Sequence, residues 1–165
     1  MASSPYSLNI KIDATGFENR LKNIKKALNK RVRVGILHAE SEENGATTAE
    51  IAKWNEGDGF FGANDTPQRS VIGLPLSESM YREDIIGAGI DVLEKEGVTE
   101  KGVKKALKAI GEMAHWAILS AFDSSANGQW AQNSKETLKK KIGDKPMIDT
   151  GTLVSNIDWE VVDGE

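Results

Sequence analysis

The feature that most constrains this chain is TEKGVKKALKAIGEMAHWAILSAF, residues 99 to 122. Val103, Leu107, Ile110, Ala114, Ala117 and Ala121, with Phe122, recur at three- and four-residue intervals. That spacing keeps one apolar stripe on a single face of a helix. A helix so long has to bury its stripe, and the rest of the sequence offers partners. LSESMYREDIIGAGIDVLEKEG, opening on Ser77 as N-cap, puts Tyr81, Ile85, Ala88 and Val92 on a second stripe, with Ile86, Ile90 and Leu93 beside it. Gly97 is a natural stop between the two helices.

Period two marks the strands. Leu8, Ile10 and Ile12 alternate in SLNIKID, Val32, Val34 and Ile36 in RVRVGIL, and Ile157, Trp159 and Val161 near the end. Phe17, Leu21, Ile24 and Leu28 form a helical stripe between the first two. Thr47 and Glu50 fit a capping box that opens a short helix, TAEIAKWNE. Residues 57–76, rich in glycine and proline and without period, read as one long loop with Phe60 and Phe61 at its tip. NSKETLKKKIGD reads as a short basic helix or an ordered loop. The sum is a single α+β domain over 1–165, with a small, mostly antiparallel sheet of at least three strands packed against one long helix and several shorter ones.

Charge and composition narrow the function. Lys and Arg number 21 against 25 Asp and Glu, a net charge of −4, which argues against a dedicated DNA binder. Locally, KNIKKALNKRVRV and KETLKKKIGDK are basic and AESEENGATTAE is acidic. With no cysteine there is no disulfide, thiolate nucleophile or cysteine-based zinc site. No run is long and apolar enough for a membrane helix, and no secretory signal is expected at the N-terminus.

The triplet Asp149-Thr150-Gly151 in KPMIDTGTL resembles the catalytic turn of an aspartic protease. That chemistry needs two carboxylates sharing a proton, plus a flap and a supporting segment after the aspartate. The residues that follow Asp149 are used up by one strand, so the protease reading fails. The two histidines, His38 and His115, lack ligand-spaced partners, and no Gly-x-Ser-x-Gly elbow or phosphate-binding glycine motif occurs. No enzyme, metal or cofactor is expected. Pro146, Asp149, Thr150 and Gly151 instead read as a structural turn: proline restricts the residue before it, Asp or Thr bonds local amides, and glycine accepts positive φ.

The order of features resembles the neck and tail-completion proteins of long-tailed bacteriophages, also described as head–tail joining, minor tail or virion morphogenesis proteins. The resemblance rests on VRVGIL at 32–37, AEIAKWNEG at 49–57, TPQRSVIGLPL at 66–76, WAQNSKETLKKK at 130–141 and, most specifically, KPMIDTGTLVSNIDWEV at 145–161. Glu56-Gly57-Asp58 and Arg69-Ser70-Val71 depart from the family's Glu-Phe-Gly and Arg-Pro-Phe. The resemblance implies a non-catalytic virion protein, assembled in the host cytoplasm. It implies a homo-oligomeric ring, a hexamer or higher, between portal, connector or stopper proteins and the tail terminator or tube. DNA would only pass through its lumen, which is then neutral or acidic, and no membrane is involved. Interface candidates are Phe60, Phe61, Arg69, Trp130, Lys139, Lys140 and Lys141, with the strand edges at 7–13 and 157–162. A non-catalytic intracellular adaptor module is the alternative.

Overall fold

The computed structural model describes residues 15–40, 45–56, 67, 69–77 and 79–164. Helix α1 covers Thr15–Leu28 and leads into strand β1, Lys30–Ile36. Helices α2, Thr48–Asn55, and α3, Gly73–Ser77, precede the long pair α4, Ser79–Glu96, and α5, Glu100–Ser124. Two short helices, α6 over Lys135–Lys140 and α7 over Thr152–Ser155, bring the chain to strand β2, Ile157–Asp163.

This is the expected α+β arrangement. Both strands lie against α5, and α4 also packs along α5. Among the described residues the sheet is a two-stranded antiparallel ribbon, in register from Lys30 opposite Asp163 to Ile36 opposite Ile157. Residues 7–13, expected to be a third strand, lie outside the described residues. Alternation does the sorting within the ribbon. Val32, Val34 and Ile36 turn inward, while Arg33 turns out and pairs with Glu160 at 2.8 Å.

Small residues set how closely the elements approach. The buried Gly111 of α5 lies under the indole of Trp159, and Gly89 of α4 lies under Ile110. Further along α5, Ala117, Ile118, Ala121 and Phe122 are wholly or almost wholly buried. Phe122 meets Trp130 edge to face, ring centroids 5.2 Å apart, and the Trp130 indole N–H donates to the Ser70 carbonyl at 3.0 Å. Val71, Ala52, Leu153 and Ile157 close the same core. Burying a side chain of this size stabilises the fold by about 1.5–3 kcal/mol.

Three boundaries differ from expectation. Residues 152–155, read as part of the closing strand, form α7, so the strand begins only at Ile157. The stretch 57–76 is not one loop: α3 forms at its end, and Val71 and Pro75 are buried. The cause is hydrogen bonding to a residue distant in the chain. The Glu56 carboxylate accepts from the Ile72 and Gly73 amides and from the Ser70 hydroxyl, whose oxygen in turn accepts from the Leu74 amide. Ser77 is not an N-cap. It closes α3, its hydroxyl donating to the Leu74 carbonyl.

Other local signals hold. The capping box at Thr47 and Glu50 is formed, and Gly97 takes φ 73° at the α4 stop. Beyond α5, Ser125, Ala126 and Asn127 all adopt positive φ before Gly128 does. This left-handed turn carries the chain from α5 to Trp130.

Candidate functional site

The turn that begins at Lys145 does what its residue types suggest. Pro146 is fully buried, Met147 takes φ 60° and Gly151 takes φ 87°. The Thr150 hydroxyl oxygen accepts from the Thr152 amide at 3.3 Å, which helps start α7. Lys145 also pairs with Asp123 at the end of α5, anchoring the turn to the long helix. Asp149 is exposed. Among the described residues no group of three His, Asp or Glu is placed to hold a metal ion.

Arg69 is the better-built feature. It is only 9% exposed, and its guanidinium donates from Nε to the Ala131 carbonyl at 2.8 Å and from Nη2 to the Gln132 carbonyl at 3.1 Å. Arg69 thereby pins the segment after Trp130. Burial lowers its pKa, because water is withdrawn from the charged form.

The guanidinium lies at the wall of a cleft of about 380 Å³ lined by Asn133, Thr137, Lys140, Lys141, Met147 and Asp149, with Glu136 at its side. Lys141 donates to the Lys145 carbonyl at 2.7 Å. Burial lowers the Lys141 pKa; Asp149 opposes that shift, Arg69 adds to it and Asp144 opposes it. Asn133 Nδ2 donates to the Asp144 carbonyl at 2.8 Å.

The fold therefore brings together four residues singled out from the sequence, Arg69, Lys140, Lys141 and Asp149, although they come from distant stretches. It separates others. Trp130, expected at an interface, is 2% exposed and belongs to the core. Its indole fills the space beside Phe122, which removes it from any surface available to a partner. Lys139 is exposed on α6, outside the cleft. Phe60 and Phe61 lie outside the described residues.

His115 is structural, as its place in a helix suggests: Nε2 donates to the Ile157 carbonyl at 3.1 Å. His38 is exposed. The sequence reading missed Glu56, whose carboxylate organises residues 70–73, and Asn133 and Thr137 of the cleft. Ser70 followed by Pro75 in a first helical turn was the available signal for Glu56; nothing in the sequence marks Asn133.

No protein-family model, no curated protein and no solved structure matches this chain.

Proposed function

We propose that this chain is a structural subunit of a phage neck, forming a ring that joins the portal or connector to the tail and lets DNA pass. The virion context comes from the sequence resemblance, chiefly KPMIDTGTLVSNIDWEV. Self-assembly is supported by one observation above the rest. Among the described residues most of the apolar stripe of α1 is uncovered: Phe17 is 66% exposed, Leu21 40% and Leu28 72%, while Ile24 is half-buried. Scattered exposed apolar residues are ordinary, but an aligned stripe on one helix suits a surface that a neighbour buries.

Two further features fit the same reading. Among the described residues β1 and β2 pair only with each other, leaving outer edges whose backbone groups can pair with a neighbouring chain. Beside β1, an apolar depression of about 270 Å³ is lined by Val32, Val34, Ile85, Ile86 and Ile110. A heterologous contact repeated around a closed rotation gives a ring, which is the form a neck requires.

The test is direct. Light scattering and electron microscopy of the purified chain, alone and with connector proteins, should show closed rings. Leu21→Asp should leave helix content intact and abolish them. A chain that stays monomeric under all these conditions, or virions that are intact and infectious without it, would overturn the reading.

A further inference from the structure

The cleft beside α6 stands apart from the α1 stripe on which ring formation rests, and its chemistry makes a separate statement. Among the described residues Arg69 engages two of its five N–H donors, both with backbone carbonyls. Among the same residues Lys141 engages one donor, again with a carbonyl. Among the described residues no carboxylate forms an ion pair with Arg69, Lys140 or Lys141, although Asp149 and Glu136 line the same space. A guanidinium withdrawn this far from water is costly without a charge partner, and its planar fork matches a carboxylate's two oxygens.

We propose that the cleft framed by Arg69, Lys140 and Lys141 is a receptor site for a carboxylate, borne on an acidic side chain of a protein partner. The charge count selects the class. Three cations and two carboxylates line the cleft itself, and Asp144 acts on Lys141 from beside it, so the cations are close to balanced and suit a ligand of low charge such as one carboxylate. A nucleic-acid strand brings a charge at every phosphate and would meet Asp149 and Glu136 unfavourably. Size agrees, since about 380 Å³ admits a side chain or two rather than a length of backbone. Around the cations, the Thr137 hydroxyl and the Asn133 amide offer hydrogen bonds to the peptide flanking the acid. The site is also held in shape before any ligand arrives. Arg69 is fixed at the Ala131 and Gln132 carbonyls, Lys141 at Lys145, and Asn133 at Asp144. Little ordering remains to be done on binding.

The experiment uses the full ¹⁵N-labelled chain, following the side-chain Nε–H resonance of Arg69 and the backbone amides of residues 133–149. The probes are acetyl-glutamyl-amide, its neutral isostere acetyl-glutaminyl-amide, inorganic phosphate and a short oligothymidylate. The expected result is saturable shifts with the glutamyl probe, none with the glutaminyl probe, and weaker binding of phosphate and oligothymidylate. Lys141→Met should weaken glutamyl binding roughly tenfold or more. Should that variant fail to fold, Lys140→Glu replaces it, because Lys140 is exposed and its side chain makes no hydrogen bond or ion pair among the described residues; the same loss is expected. No shift with the glutamyl probe, equal shifts with the glutaminyl probe, tighter binding of phosphate or oligothymidylate, or full binding by a folded lysine variant would each overturn the proposal.

Discussion

Gly111 and Trp159 are in direct contact: a Cβ placed on Gly111 would lie 2.1 Å from Cε3 of the indole. The missing side chain is what lets β2 settle on α5. Gly111→Ala would gain about 1 kcal/mol of helix propensity, yet it forces a methyl into space already filled by the ring. The expected net result is a loss of about 2 kcal/mol, read as a lower urea midpoint. Adding Trp159→Val should recover part of it. Unchanged stability in Gly111→Ala would show that Trp159 does not rest on Gly111.

Arg69 ties two carbonyls whose other recourse is water. Arg69→Met should lower stability by about 2 kcal/mol, since Ala131 and Gln132 lose charge-assisted donors. Arg69→Lys should recover little of this, because an ammonium cannot reproduce the planar fork. Chemical denaturation of the three proteins, side by side, measures both effects.

The turn at Asp149 and Gly151 separates a structural role from a catalytic one. Gly151→Ala places a Cβ at φ 87° and should cost about 1 kcal/mol or more. Asp149→Asn, at an exposed site, should change stability by less than about 1 kcal/mol. A peptidase activity in the wild type that vanished in Asp149→Asn would contradict the structural role.

The left-handed turn after α5 stores strain that glycine would relieve. Ser125 sits at φ 53°, ψ 48°, and its hydroxyl makes no hydrogen bond among the described residues. Ser125→Gly should raise the thermal midpoint, by the equivalent of about 0.5–1 kcal/mol. Scanning calorimetry decides the sign.

Acid should weaken the fold through its surface ion pairs. Hydrogen bonds and charge from Lys30, Lys145, Lys105 and Lys104 hold the carboxyls of Asp163, Asp123, Glu96 and Glu100 below their ordinary values of 3.8 for Asp and 4.5 for Glu. Glu50 is lowered too, by the Thr47 amide and hydroxyl. A depressed folded pKa stabilises above the unfolded value, and that contribution is lost as pH falls through the folded one. The thermal midpoint should therefore stay level from neutrality to about pH 5 and fall below about pH 4.5. High salt should flatten the fall, because these pairs face solvent.

Local pattern settled the elements. The stripe from Val103 to Phe122 dictated α5, alternation dictated β1 and β2, and Gly97, Thr47 and Gly151 marked a stop, a cap and a turn, because each of those requirements is met within a few residues of chain. What the tertiary structure decided is which of these surfaces meet. Trp130 and Lys139 both looked exposed, yet one is packed beside Phe122 and the other is in water. Arg69 faces Lys141 only because the folded chain returns to it after α5. α3 exists because Glu56, on the far side of a long connection, supplies acceptors to its first amides. Burial and long-range hydrogen bonding join residues far apart in the chain, and no periodicity in the sequence encodes those pairings.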